Sequence, residues 1–201
     1  MGPSAKSKKP DAALAILFAS RARAEVLRLF LVDPARAYYQ RQIEAATGLP
    51  IRAVQRELER LQSINLLYRY AEGNRTYYQV DVLFPFFPEL RAMVLKMASP
   101  VDRLRGMIAM DERVLLAILD EEQQRVLLVS PGAARPEFQV PEPFTLETLS
   151  REEFGAGLAD GAPALIAYLT NGVDLLGRRE DVIWRRIEAA GYSVKKGKGV
   201  A

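Results

Sequence analysis

The chain has 201 residues, of which 49% are hydrophobic and 26% are charged, and these proportions are those of a globular protein rather than of a disordered chain. It contains neither cysteine nor histidine, which excludes disulfide bonds, thiolate nucleophiles, Cys/His zinc sites and acid–base catalysis by histidine. No apolar run approaches the roughly 20 residues that span a bilayer. We therefore expect a cytoplasmic protein without a cofactor, a metal ion or catalytic residues.

The charge of the chain is unevenly placed. The formal net charge is +3, but residues 1–100 contain 15 Lys and Arg against 9 Asp and Glu, whereas residues 101–201 contain 13 against 16. The first half therefore carries +6 and the second half −3. A basic first half beside a mildly acidic second half indicates that any polyanionic partner binds the first half.

The first half is predicted to be mainly helical with one β-hairpin, from apolar residues at helical spacing and from runs of β-branched and aromatic residues. Asp33 ends a helix because the residue before a proline avoids the helical conformation. In chain order we predict a disordered basic tail (1–11), helices over 12–18 and 21–32, strand character at Tyr38-Tyr39, helices over 41–47 and 51–65, strands over 66–70 and 76–80 around a tip at 71–75, and a helix that ends near Met97.

The second half, which follows a hinge at Ser99-Pro100, is predicted to alternate helices and strands. Ser150 and Glu153 form a capping-box pattern, which starts a helix. In chain order we predict a helix over 101–110, strands over 114–119 and 125–129, a proline-containing loop over 130–143, the helix that begins after Ser150, a helix over 162–169, a short strand over 173–176, a helix over 180–190 and a mobile basic tail over 193–201.

Three consecutive segments have the lengths of a helix-turn-helix. This motif needs a short helix, a turn of three or four residues that often contains glycine, and a second helix that enters the major groove of DNA. Residues 41–47, Gly48-Leu49-Pro50 and residues 51–65 supply them, and the hairpin follows as a wing. The predicted fold class is α+β: a winged helix-turn-helix (12–98), mainly α with a β-hairpin wing, followed by a small α/β domain (99–192).

The second helix of this motif is predicted to be amphipathic. Its apolar residues fall on one face at the helical period, and we expect them to pack on the core of the domain. They are Ile51, Val54, Leu58 and Leu61. The opposite face is rich in long hydrogen-bond donors, and an ordinary helix with a solvated charged face is the alternative interpretation.

Arginine and glutamine on that opposite face have the chemistry that reads bases. Arginine binds guanine and glutamine binds adenine through paired hydrogen bonds. Residues near the N-terminus of a recognition helix usually reach the base edges. We therefore expect Arg52, Gln55 and Arg56 to contact bases, with Arg60 at the flank of the same face.

The hairpin tip and the start of the preceding helix offer further donors. Asn74 and Arg75 lie in the predicted tip, a thin loop with the shape needed to reach a phosphate or the minor groove. Arg36, Gln40 and Arg41 precede or begin the first helix of the motif, where they are placed to contact phosphates. Solvated side chains are the alternative interpretation for all five.

The segment Tyr38–Asp81, from YYQRQIEAATG to NRTYYQVD, resembles the winged helix of ArsR-like transcription regulators. It is similar in particular to a group in which this domain precedes a minimal nucleotidyltransferase domain, and the resemblance covers about residues 14–97. It implies operator binding as a homodimer, with the terminal helices forming much of the dimer contact, and repression as the default. Sensing of metals through thiolates is excluded because the chain has no cysteine.

The second half is similar to the minimal nucleotidyltransferase domain over 114–132 and 149–180, but it lacks the metal-binding motifs. Active domains carry a Gly-Ser pair and an Asp-x-Asp that holds Mg²⁺. Leu119-Asp120 and Gln124-Arg125-Val126 stand at those places here. The resemblance therefore implies a degenerate nucleotidyltransferase-like domain, and an unrelated α/β dimerisation domain is the alternative. We expect Asp120, Glu121 and Glu122 to be solvated charges in a hairpin turn, and Trp184 to lie in a core or dimer surface.

Together these features predict a sequence-specific transcription regulator, a repressor that binds double-stranded DNA at an inverted repeat as a homodimer. Its location would be nucleoid-associated, and the second domain would dimerise or receive an unknown small-molecule or protein signal. Two alternatives remain open. One is a nucleotidyltransferase-type enzyme with a nucleic-acid-binding module, and the other is a winged-helix module that binds protein.

Overall fold

The computed structural model describes residues 10–132, 139–197 and 200. The chain is mixed α+β with two sheets, and it divides into two compact units, Met1–Gly106 and Met107–Ala201. Residues 1–9 of the predicted disordered tail lie outside the described residues, as do residues 198, 199 and 201 of the predicted mobile tail. The roles predicted for the two domains stay predictions.

The first unit is built around a buried helix, α2, which is capped by Ser20. The Ser20 hydroxyl accepts a hydrogen bond from the backbone N–H of Arg23 (3.2 Å), and the helix ends at Val32, before Asp33-Pro34. Pro10 and Asp11, predicted as disordered, belong to the first helix. The helices are α1 (Pro10–Leu17), α2 (Arg21–Val32), α3 (Gln40–Thr47), α4 (Ile51–Ser63), α5 (Phe87–Met97) and α6 (Pro100–Ile108), which continues past the division of the units.

The strands of the first unit form a three-stranded antiparallel sheet. It consists of β1 (Tyr38–Tyr39), β2 (Leu67–Glu72) and β3 (Arg75–Val80) in the order β1-β3-β2. Glu72 pairs with Arg75, so the turn contains only Gly73 and Asn74, and the predicted five-residue tip is wrong. Gly73 has φ +56°, a conformation that glycine adopts without steric cost.

The core of the first unit forms where α2 meets its neighbours. Leu27, Phe30 and Leu31 are almost fully buried, and the Phe30 ring meets the ring of Tyr38 edge to face at 5.4 Å between centroids. Val54 of α4 is also fully buried. Burial of each such side chain contributes roughly 1.5–3 kcal/mol, so this packing orients α4.

A buried carboxylate also anchors α4. Glu57 is only 3% exposed, and its Oε2 accepts a hydrogen bond from Arg23 Nε (3.0 Å) while its Oε1 lies 2.9 Å from Arg60 Nη1. The Ser20 hydroxyl donates to the same carboxylate at 3.5 Å. Sequence periodicity does not indicate this residue, because a glutamate beside apolar positions reads as a flanking charge. Glu57 joins the start of α2 to the middle of α4.

Removal of this carboxylate is expected to destabilise the protein. In Glu57→Ala, Arg23 loses its charged partner and a buried space opens, at a cost of about 2 kcal/mol in the free energy of unfolding. Urea denaturation measures this change. Glu59→Ala, on the exposed side of α4, is the control and should change the value by less than about 0.5 kcal/mol. Equal effects of the two substitutions would contradict the anchoring role.

Tyr38 is buried beside two charged side chains. Its hydroxyl accepts a hydrogen bond from Arg105 Nη2 (3.2 Å), and the same nitrogen lies 3.7 Å from Asp33 Oδ2. Burial raises the pKa of Tyr38 to about 12, with Arg105 opposing the rise and Asp33 adding to it. The folded protein therefore holds the phenol proton more tightly than the unfolded chain does.

This pKa predicts a loss of stability at alkaline pH. The tyrosine ionises near pH 10.0 when unfolded and near 12 when folded, so its contribution is complete below pH 10.0 and disappears as the pH rises towards 12. The free energy of unfolding should fall by about 2–3 kcal/mol through Tyr38 over this range. Urea denaturation at several pH values should show a flatter pH profile for Tyr38→Phe than for Tyr77→Phe. Identical pH profiles of the two variants would contradict the prediction.

The second unit contains a five-stranded mixed sheet with three helices. The strand order is β6-β5-β4-β7-β8, and β5 pairs antiparallel with β4 and parallel with β6. The strands are β4 (Leu116–Asp120), β5 (Arg125–Ser130), β6 (Thr145–Ser150), β7 (Val173–Asp174) and β8 (Lys195–Lys196), and the helices are α7 (Arg151–Ala159), α8 (Pro163–Asn171) and α9 (Val182–Ala189). The capping box at Ser150 and Glu153 is confirmed.

Two strands of this sheet were not predicted. No element is predicted for residues 144–149, but Thr145–Ser150 forms β6 along the outer side of β5. Lys195-Lys196 was assigned to a mobile tail, but it forms β8 beside β7. Both are edge strands whose pairing partners are distant in sequence, so local patterns indicate them weakly.

The core of the second unit contains Trp184, which is 2% exposed, together with Phe154 and Tyr168, so the core interpretation of Trp184 is confirmed. Asp120 is 1% exposed, and the prediction that it is a solvated charge is wrong. Its carboxylate lies 3.1 Å from Arg125 Nη2 and accepts a hydrogen bond from the backbone N–H of Gln123 (3.1 Å). The carboxylate therefore closes the β4–β5 turn.

Candidate nucleic-acid interface

A tight turn places α4 after α3. Gly48 has φ +66°, and its N–H donates to the carbonyl of Glu44 (2.8 Å), which ends α3. The Thr47 hydroxyl donates to Ile43 O (2.6 Å) and accepts from Leu49 N–H (3.3 Å), which fixes the turn. Pro50 then starts α4 in an extended conformation. A residue with a β-carbon at position 48 would be strained at this φ.

Helix α4 buries one face and exposes the other. Val54, Leu58 and Leu61 are buried, as the periodicity predicts, whereas Ile51 is only half-buried. Glu57 joins the buried face against expectation. The exposed side chains are Arg52, Gln55, Arg56, Glu59, Arg60 and Ser63. The N-terminal half of the helix thus presents two arginines and a glutamine to solvent.

A groove lies between the start of α3 and the β2–β3 hairpin. It has a volume of about 550 Å³. The residues that line it are Tyr39, Gln40, Arg41, Arg69, Asn74, Arg75, Thr76 and Tyr78. Three of these side chains are cationic, and the described lining contains no carboxylate. Such a groove attracts anions because its lining is positively charged.

Arg69 is a cation of the groove that was not among the predicted contact residues. It lies on β2 two residues after Leu67, which is buried, so the two side chains share one face of the strand. The buried part of that face ends before Arg69, which is exposed. The alternation of the strand indicated this orientation, but only the position of α3 shows what the side chain faces.

Aromatic contacts hold Arg75 beside α3. Its guanidinium carbon lies 4.7 Å from the centroid of the Tyr39 ring, a cation–π distance. Tyr39 in turn meets Tyr77 edge to face at 5.8 Å, and Tyr77 stacks on Tyr70 at 5.8 Å. Since Tyr39 directly precedes α3, this contact keeps the hairpin tip close to the start of that helix. Asn74, which lies in the two-residue turn directly before Arg75, is exposed.

Hydrogen bonds connect the groove with α4. Gln55 Nε2 donates to Gln40 Oε1 (3.3 Å), and Gln40 Nε2 donates to the Tyr78 hydroxyl (3.5 Å). The exposed face of α4 and the groove therefore adjoin each other through Gln40, and they form one continuous surface of donors. This surface, the groove with Arg52, Gln55 and Arg56, is called the donor surface below.

Two predicted contact residues, Arg36 and Arg60, lie outside the donor surface. Arg36 is half-buried, with its guanidinium carbon 5.7 Å from the Tyr38 ring centroid. Arg60 is exposed on α4 but paired with Glu57, as described above. The structure therefore brings Gln40, Arg41, Asn74 and Arg75 together, beside Arg52, Gln55 and Arg56, and it leaves Arg36 and Arg60 with intramolecular partners.

Metal-ligand clusters and membrane-spanning helices are both absent from the part of the chain that the structure describes. No cluster of three or more acidic side chains there is arranged to hold a metal ion. None of the helices described there has both the length and the apolar character that crossing a membrane requires. Comparisons with models of protein families, with curated protein sequences and with solved structures found no match to this chain.

Proposed function

We propose that the chain is a sequence-specific DNA-binding transcription regulator whose first unit acts as a winged helix-turn-helix. In this proposal α3 and α4 are the two helices of the motif, α4 is the recognition helix, and the β2–β3 hairpin is the wing. Arg52, Gln55 and Arg56 contact base edges in the major groove, because residues in the first turns of a recognition helix reach the bases.

The observation that carries the proposal is the continuity of the donor surface. A helix face that is rich in arginine and glutamine supplies the donors that distinguish bases. The adjoining groove adds the cations Arg41, Arg69 and Arg75. Contacts from such groups to phosphates set the position of a protein on the duplex, while base contacts provide the specificity. The proposal therefore assigns base contacts to α4 and phosphate contacts to the groove.

The resemblance to ArsR-like regulators supports the further parts of the proposal. It implies a homodimer, an inverted-repeat operator and repression. In a symmetric dimer the two recognition helices lie about one helical turn of DNA apart, roughly 34 Å. The second unit would then dimerise or receive a signal.

A specific observation in the second unit disfavours the enzymatic alternative. Nucleotidyl transfer requires carboxylates that hold divalent metal ions. Asp120 on β4 faces Arg125, its partner on the neighbouring strand β5, and the two side chains form a salt bridge. Asp120 is therefore paired with a cation, and neither Gln124 nor Val126, which stand at the two aspartate positions of the Asp-x-Asp, supplies a carboxylate. We propose a degenerate nucleotidyltransferase-like domain without that activity.

Selection of genomic DNA fragments by the purified full-length protein tests the proposed function. The expected result is a set of fragments that share one short inverted repeat. Fragments without a common sequence would overturn sequence-specific binding. Affinity for a protein partner that persists at high salt, without any DNA recovered, would instead favour the protein-binding alternative, because binding to phosphates weakens as salt rises.

A further inference from the structure

A pocket in the second unit is lined by residues of α9 and of the segments that flank this helix. Its volume is about 370 Å³, at the lower end of the range for small-molecule sites. The pocket floor contains Trp184, Ile187 and Val194, which are almost fully buried. Because these side chains show little of their surface, the floor offers only a small apolar area. The pocket therefore suits a small ligand with a short aliphatic group.

Arg179 lies in the wall of this pocket with an anchored guanidinium group. Its Nε donates to Asp174 Oδ2 (2.9 Å), its Nη2 donates to the carbonyl of Val194 (2.7 Å), and its guanidinium carbon lies 4.4 Å from the centroid of the Trp184 ring. A guanidinium group has five N–H donors. These contacts use two of them, and Nη1 donates to none of the residues that the structure describes. Arg179 therefore holds unused donors in a fixed orientation at the pocket.

The buried partner of Arg179 leaves these donors able to bind a second anion. Asp174 is 1% exposed, and its Oδ1 accepts hydrogen bonds from the N–H groups of Leu176 (3.0 Å) and Gly177 (2.8 Å). Backbone donors thus stabilise one oxygen of this carboxylate, and Arg179 contacts the other. The planar guanidinium fork can bind a further carboxylate through its remaining donors. The pocket therefore offers a binding group for the carboxylate of a ligand.

Glu188 gives the same pocket a group of opposite charge. It lies in α9 one helical turn after Trp184, and its side chain is exposed. Its carboxylate forms no ion pair with Arg179 or with any other residue that the structure describes. The described lining contains one cation and one anion, so it has no net charge. Glu188 repels a dianion such as phosphate, whereas a ligand that carries one carboxylate and one ammonium group can pair with both side chains.

We propose that this pocket binds a small aliphatic α-amino acid. Arg179 binds the carboxylate of the ligand, Glu188 binds its ammonium group, and the aliphatic side chain packs on the pocket floor. The inference concerns the second unit alone and does not rest on the proposed DNA binding by the first unit. It assigns the second unit a ligand site and the chemical class of the ligand.

Fluorescence of the full-length protein tests this inference directly, because Trp184 is the only tryptophan of the chain and lines the pocket. The probes are L-valine, 3-methylbutanoate, which lacks the ammonium group, and L-valinamide, which lacks the carboxylate. Glu188→Gln removes the negative charge at similar size. Glu152→Gln, at an exposed residue of α7, is the matched control. Thermal unfolding shows that each variant is folded.

In the wild type we expect L-valine to bind about tenfold more tightly than L-valinamide, because hydrogen bonds to a charged group are stronger than those to a neutral amide. L-valine should bind about threefold more tightly than 3-methylbutanoate, a smaller difference because solvent screens the exposed Glu188. This second preference should disappear in Glu188→Gln and persist in Glu152→Gln.

Three results would overturn the inference. One is the absence of a saturable change in fluorescence with L-valine up to about 10 mM. Another is equal binding of L-valine and either analogue by the wild type, which would show that one of the two charges is not recognised. The third is a preference for L-valine over 3-methylbutanoate that Glu188→Gln leaves unchanged. None of these results bears on the selection of DNA fragments, so the inference and the proposed function fail separately.

Discussion

Simultaneous replacement of Arg52 and Arg56 by alanine is expected to weaken binding to the selected inverted repeat by at least about 30-fold, since each arginine that reads a base contributes roughly 1–3 kcal/mol of discrimination. Both side chains are exposed on α4, away from its buried face. The fold should therefore be retained. Fluorescence anisotropy with labelled duplexes, one specific and one of scrambled sequence, measures the effect.

The decisive quantity is the ratio of the two affinities. Loss of base contacts lowers the affinity for the specific duplex much more than the affinity for the scrambled duplex, because phosphate contacts remain. The matched control is Arg113→Ala/Arg185→Ala, which removes two exposed arginines from the second unit. If Arg52→Ala/Arg56→Ala weakens both duplexes equally, α4 contacts backbone charge only and does not read sequence.

Removal of the three groove cations is expected to leave the ratio of the specific to the scrambled affinity nearly unchanged. In Arg41→Ala/Arg69→Ala/Arg75→Ala, affinity should fall by about 100-fold or more on specific and scrambled duplexes alike. The slope of the logarithm of the binding constant against the logarithm of the salt concentration should become less negative by about 2–3. Each neutralised phosphate contributes roughly 0.9 to the magnitude of that slope. Anisotropy titrations at several salt concentrations measure the slope.

The control for this variant removes the same number of cations elsewhere. Arg113, Arg185 and Lys195 are exposed residues of the second unit, and their replacement by alanine should leave the salt dependence nearly unchanged. An equal decrease in both triple variants would mean that net charge alone attracts DNA. A preserved slope in the groove variant would show that the hairpin and the start of α3 do not contact phosphates.

The two experiments together separate two functions of one surface. Arg75 is held against Tyr39, and Gln40 connects the groove to α4. Under the proposed function, the groove would therefore set the position from which α4 meets the bases. We therefore expect the effects of the two sets of substitutions on specific binding to be non-additive, because the residues share partners. Independent effects would indicate that the groove and α4 bind DNA separately.

Local sequence patterns predicted the part of the chain that forms the donor surface. The bounds of α2, the turn at Gly48 and the apolar face of α4 follow from helical periodicity and from the conformations that glycine and proline favour. These signals are local, because each depends on residues within a few positions of one another. The exposure of Arg52, Gln55 and Arg56 follows in turn from the apolar residues opposite them. The family resemblance and the function that it implies stay predictions.

Only the tertiary structure determined which side chains meet across elements. The burial of Glu57 depends on Arg23 from another helix. The β6 strand needs β5 as its partner, and Arg69 joins the groove only because α3 lies opposite. These features share one physical reason: the free energy of a buried charge, an edge strand or a cationic groove depends on groups that are distant in sequence, which local periodicity does not contain.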